Sequence, residues 1–105
     1  MGERTAAVAD GDIGRTLEGL AQVIAARRSA SPEDSYTARL LQGSEDKLLK
    51  KIVEEAAEFA LAVKDHDKDG EASELADLVY HALVAVVKEG IPLDRMYEVL
   101  SERRQ

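Results

Sequence analysis

Apolar residues recur at three- and four-residue intervals along most of this 105-residue chain. They nowhere alternate with polar ones long enough to argue for a strand. Ile13, Leu17, Leu20, Ala21 and Ile24 share one stripe and predict a helix over residues 12–28. Arg27 and Arg28 fall in its last turn, where cations complement the helix dipole. Residues 29–34 are turn-rich and carry Ser31-Pro32, and residues 35–41 read as a short helical piece ended by Gly43. A long helix follows over residues 45–66, with Ser44 as N-cap and Glu45 and Asp46 in its first turn. Its stripe is Leu49, Ile52, Ala56, Phe59 and Val63, widened by Val53, Ala57, Ala60 and Leu61. After a polar connector at 65–70, a third long helix spans 71–89 and stops at Gly90. Pro92 fits the first position of a last helix ending near residue 103.

The two longest helices are joined by a short connector and are expected to lie antiparallel. The fold class is therefore all-α: four to five helices around a central antiparallel hairpin. The helix over 45–66 is apolar over too wide an arc for one partner surface. In so short a chain the second surface is expected from another copy, giving a helical bundle in a homodimer. Residues 1–10 have no signal-peptide pattern and read as a mobile N-terminal tail, and residues 11–105 as one domain.

Composition narrows the function. The chain has no cysteine, which excludes disulfides and thiolate metal sites and fits a cytoplasmic location. No apolar run approaches the roughly 18 residues needed to span a membrane. The net charge is −7, and no basic stripe with interleaved aromatics exists, which argues against nucleic acid as a partner. An anionic substrate would need a bound cation or a local cluster of Lys and Arg.

With Ile52 at the centre of the core face, Glu55 falls about 60° to one side, Lys51 about 100°, Glu58 about 120° and Glu54 about 160°. Lys47 extends this strip by a turn. With Leu75 as the centre of the next long helix, Glu74, His81 and Asp77 fall about 100°, 120° and 160° away, also on one side. Taken alone, Glu54-Glu55-x-x-Glu58 beside Lys51 reads as a solvated face with i,i+4 pairing. Glu74-x-x-Asp77 lies in a helix with little other polarity, where a buried acid needs a basic partner or a metal. His81 by itself reads as a buried, hydrogen-bonded histidine, with Asp77 one turn away to orient or pair with it. If the hairpin brings both acidic pairs face to face, Glu55, Glu58, Glu74 and Asp77 form an all-oxygen site. Mg²⁺ suits such a site, because it keeps waters and accepts phosphate oxygens as further ligands.

The run Lys51-x-x-Glu54-Glu55-x-x-Glu58, with Glu71-x-x-Glu74-x-x-Asp77-Leu78-x-Tyr80-His81, resembles the phosphoribosyl-ATP pyrophosphohydrolases. These are MazG-like all-α nucleotide pyrophosphohydrolases of histidine biosynthesis. Thr16-Leu17-Glu18, residues 24–28, the stretch from Pro32 to Leu40 and Ser101-Glu102-Arg103 resemble that family too. Val53 stands where the family often has glycine, on a side away from the acidic strip. The resemblance implies Mg²⁺-dependent hydrolysis of phosphoribosyl-ATP to phosphoribosyl-AMP and pyrophosphate by a homodimer. It implies Glu55, Glu58, Glu74 and Asp77 as metal ligands, with Glu54 supporting a ligand or helping to activate water. Glu54, Glu55 and Glu58 are thereby the expected catalytic set. Lys47 and Lys51 would contact phosphates, and Arg39, Tyr36 and His81 would lie on the substrate side. Two other readings stand beside it: a housecleaning hydrolase of nucleoside triphosphates from the same superfamily, and a non-catalytic helical dimerisation module.

Overall fold

The computed structural model describes residues 12–104; the expected tail at 1–10 lies outside them. Five α-helices follow one another: α1 (Asp12–Ala26), α2 (Tyr36–Gln42), α3 (Glu45–Lys64), α4 (Lys68–Glu89) and α5 (Leu93–Glu102). No strand occurs among the described residues. The expected all-α class and central hairpin are present: α3 and α4 pack on each other along the chain's most extensive helix–helix contact.

The helix ends follow from local chemistry. Ser35 Oγ accepts from the Ala38 N–H and starts α2; Ser44 Oγ accepts from the Lys47 N–H and starts α3. The Asp67 side chain accepts from the Gly70 N–H, so α4 begins at Lys68, three residues before the expected start. The polar connector is correspondingly short, and His66 at φ 56° turns the chain between the long helices. Gly90 adopts φ 74° beyond α4, a left-handed cap that glycine takes without steric cost. The helical pattern expected to reach residue 28 ends at Ala26, and Arg27–Ser29 form a 3₁₀ turn. From that turn the Arg28 guanidinium donates to the Val87 carbonyl of α4. Lys88 Nζ donates to the carbonyls of Leu41 and Gly43, at 2.7 and 3.0 Å, covering the open C-terminal end of α2.

Ile24, Leu48, Leu83, Val84 and Val87 form the buried core, where α1, α3 and α4 meet. Leu17, Leu20, Leu40, Ile52, Val79 and Leu93 pack around it. Full burial of such side chains contributes roughly 1.5–3 kcal/mol each. The packed faces differ from the expected ones. On α3 the buried residues are Leu48 and Glu55, so the inward face is rotated about 50° from Ile52 toward the acidic strip. Leu49 and Val63, expected in the core stripe, are exposed, as are Val53 and Leu61 of the wider arc expected to meet another copy. On α4, Leu75 is 44% exposed, whereas Val84, about 180° round the helix, is wholly buried. α4 is apolar nearly all round, so its own periodicity does not choose the inward arc. Its packing against α3, α1 and α2 does.

Candidate active site

The α3–α4 hairpin brings together acids that are distant in sequence. Glu55 and Glu58 stand one turn apart on α3 and face Glu74 on α4. One carboxylate oxygen from each lies within 4.8 Å of the others. Glu55 is 4% exposed, Glu74 partly buried and Glu58 open to solvent. Oε1 of Glu55 pairs with Lys51 Nζ at 3.1 Å. Glu55 Oε2 and Glu74 Oε2 are buried without a hydrogen-bond partner. Leaving carboxylate oxygens in that state is costly unless something pairs with them.

Glu74 shows the strain directly. A hydrogen bond with Glu58 raises its pKa above the ordinary carboxylate value, reinforced by burial and by the charges of Glu58, Asp77 and Glu55. Protonating Glu74 relieves part of the like-charge repulsion. A hard divalent cation would relieve it more completely and would engage both orphaned oxygens. Three carboxylates, two of them with an unsatisfied oxygen, fit such an ion. Lys51 is held firmly protonated, first by its hydrogen bond to Glu55 and then by that group's charge.

Two expected members stand apart from the three. Asp77 is exposed, and its carboxylate is outside the 4.8 Å group, though its charge bears on Glu74. Its backbone carbonyl, not its side chain, orients His81. Glu54 faces solvent, with Lys50 Nζ at 4.0 Å.

Toward the N-terminal end of α3 lies a cleft of about 260 Å³ between α2 and α3. Tyr36, Arg39, Leu40, Gly43, Ser44, Lys47 and Leu48 line it. The Tyr36 hydroxyl is 2.9 Å from Nε2 of His81, and His81 Nδ1 is 2.7 Å from the Asp77 carbonyl. A carbonyl only accepts, so Nδ1 carries the proton and Nε2 accepts from Tyr36. Burial pushes the Tyr36 pKa up, against the opposing pull of Lys51, and so keeps the donor protonated. The Tyr36 ring stacks on Tyr80 with centroids 6.4 Å apart, and Arg39 lies over it at 5.5 Å. Arg39 also donates to the Pro32 carbonyl at 2.9 Å. His81 is buried behind Tyr36 and is not among the residues that line the cleft.

Sequence patterns mark Ser44 only as a cap and assign Tyr80 no site role. Their places as cleft wall and stacking support come from α2 docking on α4, which no local spacing signals. The Thr37 hydroxyl bonds the Tyr80 hydroxyl and anchors that docking.

A family profile described as phosphoribosyl-ATP pyrophosphohydrolase matches residues 17–104. The chain is 46% identical over 92 residues to the histidine biosynthesis bifunctional protein HisIE of Nostoc sp., covering 88% of this chain and 43% of that protein. It is 45% identical over 87 residues to a phosphoribosyl-ATP pyrophosphatase of Nitrosomonas eutropha, covering 83% of this chain and 74% of the relative. A phosphoribosyl-ATP pyrophosphatase of Methylobacterium nodulans is 42% identical over 88 residues, with 84% and 82% covered. The chain thus spans about two fifths of the length of its bifunctional relatives and most of the length of the shorter ones.

Proposed function

This chain belongs to the phosphoribosyl-ATP pyrophosphohydrolase family, and on that premise we propose that it hydrolyses phosphoribosyl-ATP to phosphoribosyl-AMP and pyrophosphate in histidine biosynthesis, in the cytoplasm, using Mg²⁺. The observation that carries the reading is the buried carboxylate of Glu55, with one oxygen on Lys51 and the other unpartnered, facing Glu58 and Glu74.

Glu55, Glu58 and Glu74 would hold the ion, with Asp77 at the rim of the same site. When bound, Mg²⁺ supplies charge neutralisation and Lewis-acid polarisation to the phosphoryl group. Glu54, exposed on the same turn of α3, would take a proton from the attacking water. In the reaction an oxygen–phosphorus bond forms to water, and the anhydride linkage between the α and β phosphates breaks. Lys51 neutralises Glu55 and presents a permanent cation beside the phosphates. Lys47, Arg39 and Tyr36 bind the substrate from the cleft, and His81 holds Tyr36 in place.

The exposed side of α3 supports a homodimer. Leu49, Val53 and Leu61 stand there with the exposed Ala56, Ala57 and Ala60, leaving an apolar stripe that a second copy would cover. Among the described residues no helix is long and apolar enough to cross a membrane.

The test is pyrophosphate release from phosphoribosyl-ATP beside a panel of nucleoside triphosphates, with and without Mg²⁺. Mg²⁺-dependent turnover that prefers phosphoribosyl-ATP is expected, as is its loss in Glu55→Gln. A preference for ordinary triphosphates would reject the substrate. Full activity in Glu55→Gln would reject the site.

A further inference from the structure

We propose that the α2–α3 cleft is a second phosphate subsite, which binds the phosphate monoester at the far end of the substrate from the anhydride that is cut. The inference rests on the function proposed above and adds which part of the substrate the cleft receives.

Two cations line the cleft, Arg39 and Lys47, and neither forms an ion pair among the described residues. Lys50 and Lys51, on the same helix as Lys47, both have glutamate partners. The acids beside Lys47 in the first turn of α3, Glu45 and Asp46, do not line the cleft. Its cationic character is therefore not cancelled locally.

The cleft is also preorganised. Arg39 is held by the Pro32 carbonyl and by the face of Tyr36. Tyr36 is in turn held by the buried His81. A guanidinium fixed in this way loses little side-chain freedom when an anion arrives.

Register along α3 identifies the anion. Lys47, Lys51 and Glu55 follow one another at four-residue steps, drifting only about 40° per step round the helix. Lys47 is eight residues from Glu55, about 12 Å along the axis. The phosphates that undergo cleavage belong beside the carboxylates, with Lys51 adjacent. A group at Lys47 and Arg39 must therefore be another part of the same molecule. Phosphoribosyl-ATP carries such a part, a ribosyl 5-phosphate on the side of the base opposite the triphosphate. A phosphate monoester is a dianion and matches two unpaired cations.

The experiment compares phosphoribosyl-ATP with ribosyl-ATP, the same molecule lacking that phosphate, in wild type, Lys47→Gln and Arg39→Gln. Wild type is expected to favour the phosphorylated substrate in kcat/KM. Each variant should cut that preference about tenfold, mainly through KM, as expected for loss of one charge-assisted contact. Lys47→Arg should restore most of it. Far-UV circular dichroism checks folding, and two independent positions keep the result decisive if one variant fails to fold. An unchanged preference in both folded variants overturns the subsite while leaving the proposed function standing. Absence of phosphoribosyl-ATP hydrolysis by wild type would overturn both.

Discussion

The Tyr36 hydroxyl and His81 Nε2 lie 2.9 Å apart, joining the first residue of α2 to the middle of α4. His81 reaches Tyr36 with one ring nitrogen because the other is occupied by the Asp77 carbonyl, which fixes the tautomer. This pair ties the wall of the cationic cleft to the helix that carries Glu74.

Removing His81 should therefore affect both stability and binding. His81→Ala leaves the Tyr36 hydroxyl without its partner and opens a cavity beside Tyr80. Urea unfolding should show a loss of about 2–4 kcal/mol. Tyr36→Phe removes the hydroxyl alone and should cost no more than about 1.5 kcal/mol. In both variants KM for phosphoribosyl-ATP should rise more than kcat falls. A kcat loss with unchanged KM would mean that His81 acts on the chemistry rather than through Tyr36.

Glu55→Gln keeps the side chain's shape and its contact with Lys51 but removes the charge. It should abolish the increase in melting temperature that Mg²⁺ gives the wild-type protein, and lower turnover at least about 100-fold. Without Mg²⁺ its stability should match or slightly exceed wild type, because a buried carboxylate is expensive. A retained Mg²⁺-induced shift would exclude Glu55 as a ligand.

The raised pKa of Glu74 sets a pH dependence for the metal-free protein. Its folded value lies above its unfolded one, so folding takes up a proton there. The favourable contribution is complete below the ordinary value of 4.5 and is lost as pH rises through the folded pKa. Mg²⁺ should consequently raise the melting temperature more at pH 7 than at pH 5. Glu74→Gln should flatten that part of the metal-free profile. An identical profile in Glu74→Gln would contradict the assignment.

Val53 is 68% exposed and Leu48 is fully buried, so the two should respond differently. Leu48→Ala should cost about 2–5 kcal/mol by unfolding, whatever the oligomeric state. Val53→Asp should leave helical content unchanged and convert the proposed dimer to monomer in sedimentation velocity. A dimer that survives Val53→Asp would move the interface to another face.

Helices, caps and the hairpin were legible because they depend on neighbours in sequence. Ser44 and Gly90 act within a few residues of where they stand, and a short connector leaves two long helices little choice but to run antiparallel. The acids at Glu55, Glu58 and Glu74 were legible for the same reason, as one-turn spacing on helices already known to be adjacent. Which acid is buried was not. The apolar surroundings of Asp77 suggested that it was the costly group, yet it is exposed and Glu55 is the one taken from water.

The sequence alone therefore determined an all-α chain, its central hairpin and a set of acids able to meet around a cation. Tertiary structure decided which arcs turn inward: on α3 one centred between Leu48 and Glu55, with half-buried Ile52 at its edge, and on α4 Val84 in place of Leu75. It also decided that Arg39 and Lys47, on different helices, line one cleft. The physical reason is the same in each case. A helix apolar over most of its circumference has several arcs of nearly equal hydrophobicity, and only packing against the neighbouring helices separates them in energy.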